Sequence, residues 1–351
     1  MIKEEFKITH YLRLVVFLTF LVSLLVTVFV LPRLSRVASR IGLMDFPDSK
    51  RKVHKSPKPL VGGIGMGMGI LMSSLFFIPL TDLRGVFIGT ALLMIIGFLD
   101  DFSELDHKIK FLAQIIAAIL MMVSSKAMLI SFGHLIPGIN FEMNIFIAAP
   151  LTVFCAVGVM NSINMIDGLD GLAGGVSMVG FISMGILAYF NSQMVIGLLC
   201  LALLGAVIGF LIYNWNPSKL FMGDSGSLFL GLMLAFLSII TTQGGLVKSP
   251  PVAPLLILGV PIIDTLRLMV KRIKQKRNPF AADKDHIHHI LLKKCNNEVK
   301  GAVLIIISIS AILSIIAIAG TYFKVPEYYM FAVFVIYAIL HITILAKPQK
   351  T

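Results

Sequence analysis

Charge is scarce in this chain. Only 14% of its 351 residues are Asp, Glu, Lys or Arg, against about 25% in an ordinary soluble domain. Cysteine is equally sparse: Cys155, Cys200 and Cys295 cannot form a disulfide framework, and two of them lie inside apolar runs, so free thiols are expected. No polar linker divides the chain into the two soluble domains its length would suggest. What is present instead is apolar, with 57% hydrophobic residues and a mean hydropathy of +0.93. These values exclude disorder, collagen-like repeats and a water-soluble core-and-shell protein. They call for a single integral membrane domain over 1–351.

Runs long enough for a hydrocarbon core of about 30 Å occur eleven times, near 11–32, 60–80, 86–99, 109–125, 145–160, 173–190, 193–212, 228–242, 251–266, 301–322 and 328–346. The third and eighth are short and are expected to run into the polar segments beside them. The first exceeds a cleaved h-region of roughly 7–15 residues and lacks a small-residue exit, so it reads as an anchor. The expected fold is therefore an all-α polytopic membrane protein of about eleven transmembrane helices, with its termini on opposite sides. With the N-terminus outside, the inward loops fall near 33–59, 100–110, 161–172, 213–227 and 264–300, followed by the tail. Together they hold 23 of the 30 Lys and Arg residues, leaving 7 outward. Lys and Arg collect on the cytoplasmic side, which puts the C-terminus in the cytoplasm. The same bias explains the net charge of +12 with no nucleic acid as partner; the partner is the lipid bilayer. Outside, 128–144 alternates apolar and polar residues around Pro137-Gly138, the pattern of a small hairpin.

The acids partition as well, 13 of 18 facing inward. They group as Asp100-Asp101, Asp167 with Asp170, Asp224, and Asp264 with Asp283 and Asp285, each near a predicted helix end. Repeated carboxylates from several loops on one face suit a divalent cation and an anionic substrate. Each group also has a plainer reading. Asp100-Asp101 serves equally as a solvated turn or helix N-cap. Against that, two adjacent acids at headgroup level disfavour joint ionisation unless a cation or base is near, and Lys108 and Lys110 follow closely. Asn161 to Gly171 (NSINMIDGLDG) is either a pair of ordinary Asp-Gly turns or a loop whose amides and carboxylates converge on a ligand. Asp224, between Gly223 and a Ser-Gly-Ser stretch, is either an N-cap or part of an anion site at a helix N-terminus.

The last inward loop carries the basic run Lys271 to Arg277, most simply a membrane-surface anchor, then Asp283 to His289 (DKDHIHH). Three histidines in four residues could bind zinc, but no second Cys or His cluster completes such a site. Phosphate partners are the better reading. The glycines of 62–69 lie inside a span, so they fail as a dinucleotide fingerprint and, like Gly205 and Gly209, fit close helix packing. An ion-coupled transporter would place its ionisable groups near the bilayer midplane with repeat symmetry between halves. Neither is visible here. An intramembrane metalloprotease would want paired histidines with a Glu, also absent.

In combination, these segments resemble the polyprenyl-phosphate N-acetylhexosamine-1-phosphate transferases of membranes. The matching pieces are His54-Lys55-x-x-Lys58-Pro59 with Gly62-Gly63, Asp100-Asp101 with Lys110-Phe111, Asn161-x-x-Asn164-x-x-Asp167-Gly168-x-Asp170-Gly171, Phe221-Met222-Gly223-Asp224-x-Gly226-Ser227, and Asp285-His286-Ile287-His288-His289. The wording is closer to the bacterial branch that uses UDP-GlcNAc than to the branch using UDP-MurNAc-pentapeptide. Pro59 to Val61 stands where the latter has Thr-Met before Gly-Gly, and Met165-Ile166 where it has Leu-Thr. The resemblance implies transfer of GlcNAc-1-phosphate from UDP-GlcNAc to undecaprenyl phosphate in the bacterial cytoplasmic membrane, with release of UMP. It implies a Mg²⁺ (or Mn²⁺) cofactor on Asp224 and Asn164, and catalytic roles for Asp100, toward the lipid phosphate, and Asp101. Lys110, Asp167, Asp170, His286, His288 and His289 are implied as substrate-binding residues, and a homodimer is a plausible assembly.

Overall fold

The computed structural model describes residues 2–47, 56–244, 247, 249–276 and 285–346. Each of the eleven apolar runs coincides with helix. α1 (Ile2–Ile41) continues through Pro32 and past its predicted end, so the first inward segment begins as helix. A two-residue ladder of β1 (Met44–Asp45) and β2 (Lys58–Pro59) leads into α2 (Gly62–Phe77). Then follow α3 (Arg84–Ser103), α4 (His107–Ser125), α5 (Ile145–Ile166), α6 (Leu172–Phe190), α7 (Met194–Asn214) and α8 (Gly223–Ile240). Among the described residues nine helices are long and apolar enough to cross a membrane: α1, α3 to α8, and the last two, α12 (Val299–Tyr322) and α13 (Glu327–Ala346). The other two predicted spans fall short of that length. α2 has 16 residues, and the run at 251–266 is broken into α9 (Ala253–Ile257) and α10 (Gly259–Lys274). Pro261 supplies the reason for the break, since it has no N–H for the carbonyl of Ile257. The 264–300 segment is likewise no simple loop. α10 carries the basic residues to Lys274, and α11 (Ile287–Lys294) holds two of the three histidines.

α8 is the most buried spanning helix and packs on α2, α3, α5 and α6. Glycine lets its neighbours approach. A Cβ at Gly63 would collide with the backbone of Gly226, and one at Gly97 with that of Ser225. Gly205 and Gly209 seat α7 against Phe20 and Thr27 of α1 in the same way, as expected of small residues between spans. Outward-facing Phe146, Phe154 and Val123 are the lipid-side complement. Within the spans, the hydroxyls of Thr27, Ser162, Ser183 and Ser238 donate to the carbonyl four residues back, which satisfies them without water.

The hairpin expected over 128–144 and the acidic segments lie at opposite ends of α8. At one end, residues 130–143 form the hairpin, with Phe132 N donating to Phe141 O and Met143 N to Ile130 O. Its turn closes from Ile139 N to Ile136 O at 3.1 Å, with Gly138 at φ +78, the left-handed position a type II turn needs after proline. Gln243 Oε1 accepts from Ile130 N and Ser131 N, and Glu327 accepts from His134 N, tying the hairpin to the ends of α8 and α13. The acidic segments gather at the other end.

Candidate active site

Parallel pairing brings the first inward segment to the start of α8. Phe221 N donates to Pro59 O, and Gly62 N and Gly63 N donate to Phe221 O and Met222 O, each at 2.9 Å. Gly223 takes φ +73, where a side chain would strike the Asp101 carboxylate. α8 therefore begins against the end of α3. Of the acids expected in loops, Asp100 and Asp101 stand on the last turn of α3 and Asp224 on the first turn of α8.

Lys110, one turn into α4, joins two of them. Its Nζ lies 2.9 Å from Asp100 Oδ2 and 3.3 Å from Asp224 Oδ2. Asp100 Oδ1 also accepts from Leu105 N at 2.8 Å. The other oxygen of Asp224 accepts from Asn164 Nδ2 at 2.9 Å, and the same amide nitrogen donates to Ser227 Oγ at 2.8 Å. Asp100, Lys110, Asn164 and Asp224 thus form one constellation drawn from α3, α4, α5 and α8.

Asp101 is arranged differently from its neighbour. Its Oδ1 accepts from Asp224 N at 2.8 Å and its Oδ2 from Ser225 N at 3.4 Å. The helix N-terminus that the sequence reading offered to a bound anion is capped by a carboxylate of the protein itself. The cap of α4 is Asp106, whose side chain accepts from Lys108 N, so neither Asp100 nor Asp101 has that role.

Asp170 is drawn into the fold too. Its carboxylate accepts from Asn216 Nδ2, Ser218 N and Ser218 Oγ at 2.9–3.0 Å, fixing the turn after α7, where the Asn216–Pro217 peptide is cis. Asn214 supports the same turn by accepting from Gly171 N and donating to Leu220 O. Asp167 ends α5, and among the described residues its carboxylate has no such partners. Burial, with Asp224 and Asp170 close by, pushes that carboxyl up to about 7.

The histidines separate. His286 is buried, with Nδ1 2.9 Å from Asp264 Oδ2. His288 is 2% exposed and lies against Gly168, where a Cβ would meet its Nε2. Burial, with His289 and His286 adding repulsion, lowers its pKa to about 3. His288 is therefore held neutral. His289, 4.3 Å from it between ring centres, is the histidine that reaches the cavity. Asp264, grouped with the cation-binding acids in the sequence, is buried among protein partners instead. His54, Lys55, Asn278 to Phe280 and Asp283 lie outside the described residues.

These groups surround a cavity of about 770 Å³. Seven carboxylates line it, those of Asp45, Asp100, Asp101, Glu104, Asp167, Asp170 and Asp224, together with Asn164, Lys58 and His289. Lys58 donates to Ser218 O across the mouth. Among the described residues no cluster of three or more His, Cys, Asp or Glu is set to hold a metal ion. The donor set still suits Mg²⁺, which takes one or two carboxylates and leaves its other positions to water and phosphate. Asp224 and Asp100 already converge on one cation, the Lys110 ammonium.

Sequence reasoning missed several contributors. Asn214 and Asn216, within the inward segment 213–227, are two of them. Gln114, one turn beyond Lys110, pairs reciprocally with Asn161, 2.7 Å from Asn161 Nδ2 to Gln114 Oε1. A glutamine inside an apolar span was the available signal.

Long apolar helices around an acid-lined cavity at one end define a multi-pass membrane protein. The profile of glycosyl transferase family 4 matches residues 83–242, the stretch from α3 through α8. A probable undecaprenyl-phosphate N-acetylglucosaminyl 1-phosphate transferase of Bacillus subtilis is 39% identical over 303 residues, 85% of this chain and 83% of the relative. The undecaprenyl-phosphate alpha-N-acetylglucosaminyl 1-phosphate transferase of Escherichia coli K12 is 32% identical over 308 residues, covering 86% and 83%. Its namesake in Yersinia pestis is 33% identical over 312 residues, covering 87% and 85%. The chain belongs to glycosyl transferase family 4.

Proposed function

We propose that the protein transfers GlcNAc-1-phosphate from UDP-GlcNAc to undecaprenyl phosphate, yielding undecaprenyl-pyrophosphoryl-GlcNAc and UMP, the lipid-linked first step of a cell-surface glycopolymer. The observation that carries this reading is the convergence of four motif segments, around Asp100, Asn164, Asp224 and His289, on one cavity at one end of a membrane bundle. Relatives matched over 83% of their own length, and named for this reaction, support it. A lipid oxygen attacks the β-phosphorus, the new P–O bond forms, and the anhydride bond to UMP breaks. Such a reaction needs positioning and charge neutralisation more than covalent help.

Asp100 faces the lipid phosphate and takes up its proton where the acceptor is protonated, while Lys110 balances charge beside it. Asp224, with Asn164 at its side, would hold Mg²⁺, which supplies charge neutralisation at the diphosphate. The acids crowding the cavity support a cation there, since burial and the like charges of Asp224 and Asp170 otherwise disfavour the ionised form of Asp167. Asp101 and Asp170 act by fixing α8 and the 216–218 turn. His289 meets the diphosphate or sugar, with His286 and His288 behind it. The Lys and Arg bias puts this end of the bundle in the cytoplasm, where a soluble nucleotide-sugar is available.

Exchange of radiolabelled UMP by the purified protein tests the reading, with UDP-GlcNAc and UDP-MurNAc-pentapeptide compared in parallel. Label entering UDP-GlcNAc, dependent on undecaprenyl phosphate and abolished by EDTA, is the expected outcome. Exchange confined to the pentapeptide nucleotide would reverse the donor assignment, and full turnover after removal of divalent metal would end the Mg²⁺ reading.

A further inference from the structure

One face of α10 grips the segment entering α11. Asp264, Arg267 and Lys271 are spaced i, i+3 and i+7, so they share a helix face. Asp264 Oδ2 lies 2.9 Å from His286 Nδ1, and its Oδ1 accepts from Ile287 N at 3.0 Å. Arg267 Nη2 donates to the same Oδ1 at 2.9 Å and also to the carbonyl of Asp285. Lys271 pairs with the Asp285 carboxylate. Three consecutive residues, Asp285, His286 and Ile287, are held by three side chains of one helix.

The grip is braced from the far side by α13. This helix is the least buried of the spans, yet His341 within it is 5% exposed. His341 Nε2 lies 3.4 Å from Asp264 Oδ1, and its Nδ1 lies 3.0 Å from Tyr337 OH. A carboxylate this deeply placed among apolar helices is retained only with charged and hydrogen-bonding partners. Asp264 has Arg267, two imidazoles and a backbone N–H. Beyond the grip, α11 seats His288 on Gly168 and turns His289 into the cavity.

We propose that Asp264 is a positioning residue for the transfer reaction: acting through His286 and the first amide of α11, it sets His289 against the nucleotide-sugar, with His341 as its brace. This rests on the function proposed above. It assigns a role to a carboxylate outside the cavity, and it makes α13 part of the machinery although none of its described residues lines the site.

The test uses the full-length protein in nanodiscs, with Asp264→Asn, Asp264→Glu and His341→Gln as variants. Asn keeps the shape of the side chain but loses the charge. Asp264→Asn is expected to raise KM for UDP-GlcNAc and lower kcat, by about tenfold or more together, the scale on which losing a carboxylate partner harms a functional histidine. KM for undecaprenyl phosphate should stay unchanged. Asp264→Glu should recover part of the loss, and His341→Gln should shift the same donor KM by a smaller factor. Hydrogen exchange over 285–294 in the ligand-free protein reads positioning without turnover, and Asp264→Asn should accelerate it. Unchanged exchange, or wild-type kinetic constants in a folded Asp264→Asn protein, would overturn the proposal. Should Asp264→Asn fail to fold, His341→Gln decides it by the donor KM and the exchange rates alone. If the wild type does not use UDP-GlcNAc while exchange responds as expected, the function reading fails and the clamp stands.

Discussion

Lys110 is a single side chain between two carboxylates from different helices, and the site's chemistry turns on that arrangement. Its ammonium compensates Asp100 and Asp224 together, so neutralising either acid has a different consequence. If Asp224 holds Mg²⁺ as proposed, Asp224→Asn removes a charged hard ligand and should lower kcat on the order of 10²-fold, with partial recovery as Mg²⁺ is raised. Asp100→Asn should lose activity without recovery, because the proposed mechanism pairs it with the lipid phosphate. Mg²⁺ titration of both variants checks this, and recovery of Asp100→Asn alone would mean their roles are exchanged. His288 makes a prediction about stability. Its folded pKa of about 3 lies below the ordinary value near 6.5, so the unfolded chain binds the extra proton first. The contribution is intact above pH 6.5 and is lost as pH falls through the range between 6.5 and 3. By pH 5 this amounts to on the order of 2 kcal/mol. The melting temperature of the wild type should therefore drop between pH 7 and 5 by more than that of His288→Phe, and equal drops would contradict a buried neutral imidazole.

At the scale of elements, α8 is the axis of the site, and its start is fixed by contacts from two other helices. Asp101 of α3 caps it, while Gly63 of α2 and Gly97 of α3 allow the backbones to touch. Removing the cap with Asp101→Ala should cost about 0.5–2 kcal/mol of stability. Gly63→Ala should cost about 1–3 kcal/mol through overpacking, since the Gly226 backbone cannot move aside as a side chain can. Both should also reduce turnover, because Asp224 rides on the same first turn. Denaturation and activity measured together check the pair, and full activity in Gly63→Ala would show that the approach is looser than described. The helices themselves were legible in the sequence, since long apolar runs have few alternatives in a bilayer. Their limits were not. The run at 251–266 breaks around Leu258, and the carboxylates of α3 and α8 lie inside helices, because proline position and tertiary caps decide where a helix stops.

Across the whole molecule, polar groups divide between two ends. The hairpin end is knit by Gln243 and Glu327, and the other end holds the acid-lined cavity. The proposal that the cavity end faces the cytoplasm rests on the bias of Lys and Arg, and labelling of single cysteines tests it after Cys155, Cys200 and Cys295 have been replaced. A cysteine at Asn140 should react with a membrane-impermeant maleimide in intact cells, and one at Lys219 only after lysis. The opposite pattern would invert the topology.

The sequence by itself determined the class of fold, the segments that would share an end, and the identity of the carboxylates, because hydropathy, charge bias and motif order are properties of the linear chain. Tertiary structure decided which of those polar groups remain available for substrate. Asp101, Asp170, Asp264 and His286 look interchangeable with Asp100, Asp224 and His289 when read in line. In space Asp264 and His286 are buried outside the cavity, and Asp101 and Asp170 line it with their oxygens bonded to the start of α8 and to the 216–218 turn, while Asp100 and Asp224 share Lys110 and His289 reaches the cavity. A carboxylate's partners come from helices distant in sequence, and hydrogen bonds and desolvation act between those neighbours, so the division of roles exists only once the helices have packed.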